Sequence, residues 1–412
     1  MKAWLLNWRV LGIIGLVLAW VPLSYAQKVE NSQHTINTLK PYANFRYRFE
    51  QVEQNGFMQK ANASTLRAKL GIISGSWNGF SVQLEGEGNV TIGAEDFNDT
   101  VNGKSQFPVV ADPPVALINQ AILRWSRNGR LSTSVGRQTV NLGNQRWIGS
   151  VGFRQNDQTL DAALVTMRPS KDLKVLYGYS WKVNRIFGPD SPKGAWSGNA
   201  IQMFNARYQL GKIGNLLGYA YLLDIPQARR VSTQTYGIRM SGALATGRDI
   251  KFTYALAYAR QSAYGSNPNH FNLGYTLFEP GISFGSFSGK LGLERMEGNG
   301  VTAVQTPLAT LHKFNGWADV FLSTPVNGLA DRYLKGKVGL SGPDWLRGSH
   351  FQIIYHDFYS TRGSLHYGSE WDTQLARSFG KHLTLAVTYA NYRSKGYARN
   401  TRKLWLSAVM KL

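Results

Sequence analysis

The sequence predicts an all-β protein, a transmembrane antiparallel up-and-down β-barrel of 18 strands with short periplasmic turns and long extracellular loops. Three observations carry that prediction. The chain opens with an export signal, its segments alternate apolar and polar residues with a period of two over about ten residues, and its connections alternate between short and long. Composition narrows the field first. The 412 residues are 43% hydrophobic with slightly negative mean hydropathy, too polar for a bundle of spanning helices. The 43 Gly beside 12 Trp, 20 Tyr and 19 Phe do not fit a disordered chain. The absence of Cys excludes disulfides, thiolate metal sites and Cys nucleophiles.

Residues 1–26 read as a secretory signal peptide. Lys2 and Arg9 precede an apolar run from Val10 to Val21, then Pro22, and Ser24 and Ala26 supply small residues before Gln27. The run is too short for a spanning helix, which needs roughly 20 residues. Cleavage removes two basic residues and no acid, lowering the net charge from +22 to +20. Residues 27–41 form a short periplasmic segment, and 42–412 the barrel.

The first strand sets the pattern. Ala43, Phe45, Tyr47 and Phe49 share one parity, and Asn44, Arg46, Arg48 and Glu50 the other. The same division separates Leu66, Ala68, Leu70 and Ile72 from Arg67 and Lys69. It separates Leu173, Val175, Tyr177, Tyr179 and Trp181 from Lys174, Gly178 and Ser180. Phe204, Ala206, Tyr208 and Leu210 alternate with Asn205, Arg207 and Gln209. Leu404, Leu406, Ala408, Met410 and Leu412 close the series, Leu412 standing where many outer-membrane barrels carry an aromatic residue. A soluble sandwich also alternates. Aromatic residues at strand ends and short turns at Ser126–Arg130, Pro169–Asp172 and Gly380–His382 favour a membrane barrel. Nineteen segments alternate, yet both termini on the periplasmic side require an even number. A strand at about Phe287–Met296 runs outward and one near Tyr333–Leu340 runs inward. Everything between is therefore one external loop, which removes Gly316–Phe321 from the wall and leaves eighteen strands.

A cation on the lipid face costs about 2–4 kcal/mol near the midplane, so the polar parity is assigned inward. That places Arg46, Arg48, Arg67, Lys69, Arg124, Lys174, Arg207, Arg239, Lys290, Lys335, Lys337 and Lys403 in the lumen. Glu50, Glu85, Asp224, Glu279, Glu294, Glu370 and Asp372 join them. Cations outnumber acids, and a positive interior favours anions. Arg137, Arg260, Arg295 and Arg377 fall on the apolar parity, which points to strand ends, bulges or shifted register. Basic external loops also suit lipopolysaccharide phosphates.

Gly136–Ala162, GRQTVNLGNQRWIGSVGFRQNDQTLDA, resembles the alginate export family of outer-membrane barrels, as do Thr306–Phe321, TPLATLHKFNGWADVF, and the layout from Tyr42 to Leu412. The resemblance implies a monomeric eighteen-stranded barrel with an Arg-lined route for a polyuronate, shaped by folded-in loops and served by a periplasmic export complex. In the first motif Arg137, Arg146 and Arg154 sit among Gly136, Gly143, Gly149 and Gly152, with Asn141, Asn144, Gln145, Gln155 and Asn156 alongside. Guanidinium forks bind carboxylates and amides bind hydroxyls, which fits a constriction. Direction stays open, because uptake of small organic anions fits the same features.

Glu370 and Asp372, two apart on one strand, both point inward. Such a pair suits glycoside hydrolysis or a hard cation, but in a pore it balances nearby arginines. Glu85–Asp112, with Glu87, Glu95, Asp96 and Asp99, reads as a long acidic loop, solvated or folded into the lumen or holding Ca²⁺. The seven His show no metal spacing. No nucleic-acid partner, cofactor or catalytic residue is expected. An outer-membrane lipase or protease, or a structural barrel, are the alternatives of another class.

Overall fold

Extended segments with one greasy face cannot satisfy their backbone in lipid unless every strand finds two neighbours. In the computed structural model, which describes residues 38–412 apart from Arg248 and Trp345, they do so by closing into a ring. The signal peptide and most of the 27–41 segment lie outside the described residues.

The wall begins with β1 (Lys40–Gln54), β2 (Ala61–Ile73), β3 (Phe80–Asp96), β4 (Val115–Arg127), β5 (Leu131–Gln138) and β6 (Thr159–Met167). It continues through β7 (Leu173–Asn184), β8 (Ala195–Leu210), β9 (Gly214–Asp224), β10 (Thr233–Ala245), β11 (Ile250–Ala263) and β12 (Asn272–Phe284). It ends with β13 (Phe287–Met296), β14 (Leu329–Leu340), β15 (Ser349–Tyr359), β16 (His366–Phe379), β17 (Leu383–Ser394) and β18 (Thr401–Lys411). Each strand pairs antiparallel with the next, and β1 pairs with β18 from Asn44 opposite Lys411 to Gln54 opposite Thr401. The eighteen-stranded antiparallel barrel is thus the observed fold. β1 starts at Lys40, two residues before the expected boundary.

Parity sorts the side chains as anticipated. Leu70, Val90, Ile118, Phe204, Phe252, Phe278, Leu291, Leu334, Trp371 and Leu406 are exposed on the outer face. An apolar belt running around the whole wall is far more than a water-soluble surface carries, and lipid is the solvent that suits it. Arg46, Arg48, Arg67 and Lys69 point inward and are buried.

Two expectations about loops meet the structure differently. β13 and β14 are joined by 297–328, and Trp317–Phe321 lies outside the strands, as the parity count requires. The Glu85–Asp112 loop is corrected. β3 runs to Asp96, so Glu85 and Glu87 are buried wall residues and only 97–114 is loop. The β3–β4 register slips between Glu85 and Gly86, and Gly86 and Gly88 leave gaps in the apolar parity there, so the alternation fades.

Loops 139–158 and 297–328 fold into the barrel. Val140, Leu142, Trp147 and Ile148 from the first join Val304, Leu308, Ala318 and Phe321 from the second in one buried cluster. Inward residues of the wall, among them Tyr219, Tyr221, Tyr275, Phe358 and Trp405, complete it. Ile148 and Leu308 form a parallel bridge between the loops. The lumen therefore has an apolar core of its own.

Candidate functional site

The cations predicted on β1 and β2 are inward, but they are covered. Arg46 donates to Gln155 Oε1 at 2.7 Å, to Gly152 O at 2.8 Å and to Arg154 O. Arg48 donates to Phe153 O at 2.6 Å, with its guanidinium 4.2 Å from the Phe153 ring centre. Lys69 pairs with Glu87 at 3.1 Å and with Asp157, and Arg67 donates to Asn44. Loop 139–158 is thus fastened by its carbonyls to a basic stretch of wall. Arg46, Arg48 and Lys69 hold the loop, and all four side chains are buried rather than bordering an open lumen.

Arg154 and Arg146, both from the Gly-rich motif, tie the two loops to the wall and to each other. Arg154 reaches Glu50 at 3.1 Å, Asp112 at 3.6 Å and Asp319 at 3.0 Å, and Lys403 meets Asp319 at 2.8 Å. His312 Nδ1 lies 2.8 Å from Asp319. Burial alone would raise the Asp319 carboxyl, but His312, Lys403 and Arg154 hold it well below the usual carboxylate range. Burial pushes the His312 imidazole down, against the pull of Asp319. Arg146 pairs with Glu294 at 3.1 Å and donates to Asn315 Oδ1 at 2.8 Å. Asn315 in turn donates to Glu294 and Asp331.

Glu370 and Asp372 are inward and buried, but backbone amides meet them where arginines were expected. Ala318 N donates to Glu370 Oε1 at 2.6 Å and Trp317 N to Asp372 Oδ2 at 3.2 Å. His356 sits between Asp331 at 2.8 Å and Asp372 at 3.6 Å. Gly316 allows this approach, because it has φ +86° and a Cβ there would stand 2.4 Å from Glu370 Oε2.

Arg137 does not belong with the inward set. It shares its parity with the exposed Val135 and pairs on the outer face with Asp161 at 2.9 Å. Arg260, Arg295 and Arg377 also fall near strand ends on the outward parity, which accounts for all four anomalies. Arg124 is inward near the short-turn end and donates to Gln83 Oε1 at 2.7 Å.

Lys174, Arg207 and Arg239 face open lumen. With Asn141, Gly143 and Asn144 of the loop tip, Asn205, Asn215 and Ser241, and the leucines 142, 176 and 217, they line a cavity of about 340 Å³. A separate crevice of about 10 Å³, room for about one water, lies beside Arg146, Trp147, Tyr219, Tyr221 and Tyr275 and shares Leu142, Leu217 and Arg239 with that cavity. Sequence reasoning placed the three cations by parity and noted the loop amides. Asn215 is the second residue of β9, with too little alternation around it to register, and Lys313, which donates to Asn144 O at 3.1 Å, comes from a 3₁₀ turn within loop 297–328.

No protein-family model matches the chain, and no curated protein does. Solved structures of outer-membrane porins match over nearly its whole length. Acinetobacter baumannii OccAB2 has TM-score 0.72 and 13% identity, covering 92% of this chain and 100% of that one. Pseudomonas aeruginosa OpdL has 0.69 and 17%, covering 91% and 98%, and P. aeruginosa OccK5 (OpdH) has 0.68 and 15%, covering 92% and 100%. The fold is that of these barrels of the bacterial outer membrane. The alginate-export resemblance gains no support from them.

Proposed function

We propose that the protein is an outer-membrane channel for the uptake of small organic anions. One observation carries this reading: the inward carboxylates are engaged, while a group of inward cations is not. Glu50, Glu87, Asp112, Asp157, Glu294 and Asp319 are paired with arginines or lysines, and Glu370 and Asp372 hold loop amides. Lys174, Arg239, Lys335 and Lys337 have no ion pair among the described residues, and Arg207 meets only Asn215, at 2.8 Å. The charge presented to a solute is therefore positive, and a positive wall lowers the entry cost of anions and raises their local concentration.

A small anion fits better than the polyuronate implied by the alginate-export resemblance. A polymer needs a continuous groove, whereas loops 139–158 and 297–328 fill part of the lumen with a buried apolar cluster. Among the similar structures, P. aeruginosa OpdK has been solved with vanillate, an aromatic carboxylate. The hydrolase alternative has no comparable support. His312, His356 and His366 contact Asp319, Asp331 and Asp357, and no Ser or Thr hydroxyl hydrogen-bonds a histidine among the described residues.

Planar-bilayer recording in a KCl gradient tests the proposal. The expected result is a reversal potential on the anion-preferring side, shifted toward zero when Lys174, Arg207 and Arg239 are replaced together by Gln. Cation preference in the unaltered protein overturns it.

A further inference from the structure

The end of the barrel that carries the short turns is strongly basic. Arg127 and Arg130 flank the β4–β5 turn, Arg168 and Lys171 lie on the β6–β7 turn, and Lys212 on the β8–β9 turn. Lys251 follows the β10–β11 turn, Arg347 lies on the β14–β15 turn and Lys381 on the β16–β17 turn. All of them are exposed, whereas Asp172, Asp249 and Asp344 are the only acids on these turns among the described residues. The charge is spread around the circumference rather than gathered on one side, and the turns are too short to build a protruding surface. A partner that meets all of them encircles the wall. Phosphate headgroups of the surrounding lipid do so, and basic residues at the membrane surface attract anionic lipid.

One stretch of the outer face adds a seat for a single lipid. Ser349 lies opposite Arg377, Arg377 opposite Leu385, Leu385 opposite Ala408 and Ala408 opposite Tyr47. The small residues Ser349 and Ala408 leave a groove of about 410 Å³ along this row, walled by Tyr47, Leu375, Phe379, Leu385, Val387 and Leu406. Arg377 stands two residues before the end of β16, its guanidinium 4.4 Å from the Phe379 ring centre and donating to Asp344 O at 2.8 Å. A cation on the lipid face is costly at the midplane and tolerated at the interface, so Arg377 marks the headgroup level. Arg347 on the adjoining turn lies 3.0 Å from Asp344. We propose that this groove binds one anionic phospholipid of the inner leaflet, an acyl chain along Leu385, Val387 and Leu406 and the phosphate on Arg377 and Arg347. The basic rim gathers the same lipid around the rest of the barrel. An acidic protein fits less well, because it would meet one side of the rim and leave the apolar groove unfilled.

The test is native mass spectrometry of the full-length protein in detergent, titrated with dioleoyl phosphatidylglycerol or dioleoyl phosphatidylethanolamine. Phosphatidylglycerol should bind more tightly, with one molecule retained at concentrations where phosphatidylethanolamine is lost. Replacing Arg347 and Arg377 together by Gln should weaken that step about tenfold, the scale of one charge-assisted hydrogen bond. Phosphatidylethanolamine binding should not change in this variant, which a merely structural defect would not spare. Ala408→Phe fills the groove without altering charge and should weaken the same step. Replacing Arg127 and Arg130 by Gln removes equal charge elsewhere on the rim and should leave it intact. Heat-modifiable gel mobility confirms that each variant is a folded barrel. Equal binding of the two lipids would overturn the proposal and leave the rim to an acidic periplasmic protein. A phosphatidylglycerol preference untouched by the Arg347 and Arg377 pair or by Ala408→Phe, or lost equally in the Arg127 and Arg130 pair, would overturn the groove. So would displacement of the lipid by glycerol 1-phosphate, since the headgroup would then suffice without its chain.

Discussion

At the scale of single residues, the lumen divides its charges into those that build and those left over. Asp319 belongs to the first group, bridging Arg154, Lys403 and His312. Removing one partner from a buried charge network costs about 3–5 kcal/mol, because it leaves the others uncompensated. Asp319→Asn should therefore loosen loop 297–328, seen as faster limited proteolysis within it. The carboxyl is held below its unperturbed value of 3.8, so its contribution is present above that value and is lost as pH falls through the depressed one. Loop protection against an acid-active protease should persist down to about pH 4 in the natural protein and weaken only below it, and be weaker already above pH 4 in Asp319→Asn. Gly316→Ala should have a similar local effect of about 1–3 kcal/mol, since both its φ of +86° and the nearness of Glu370 oppose a side chain. Arg137→Gln should leave the reversal potential unchanged, because Arg137 pairs with Asp161 outside the barrel.

At the scale of elements, the two inward loops decide how much lumen remains. Arg46 alone donates to two loop carbonyls and one loop amide, and Arg48 to a third carbonyl. Replacing both with Ala should release loop 139–158 from β1, raising single-channel conductance and its noise while the barrel itself stays intact. The strands were legible in the sequence because alternation is local: Phe45, Tyr47 and Phe49 declare their face without reference to any other part of the chain. The loops were not, because their positions depend on contacts such as Arg46 with Gln155 that join residues far apart along the chain. The same limit explains the lumen assignment. Parity placed Arg46, Arg48 and Arg67 inward, but only the docked loop shows that they are covered while Lys174, Arg207 and Arg239 are open. Where alternation itself weakens, at Gly86 and Gly88 on β3, the sequence does not distinguish strand from loop.

At the scale of the whole molecule, eighteen strands share one continuous hydrogen-bonded ring, so no strand is dispensable. Deleting β18 strips β1 and β17 of a partner each and exposes eleven paired positions of β1. That variant should fail to give a heat-modifiable, protease-resistant barrel in detergent, whereas shortening the exposed 55–60 turn should not prevent one. The seam also orders assembly. Asn44 meets Lys411, so the first strand to leave the ribosome waits for the last. Until then the unfinished sheet carries two sticky margins that match each other in register. Two copies arrested at that stage could satisfy one another instead, and the cell must shelter the nascent polypeptide until its tail arrives.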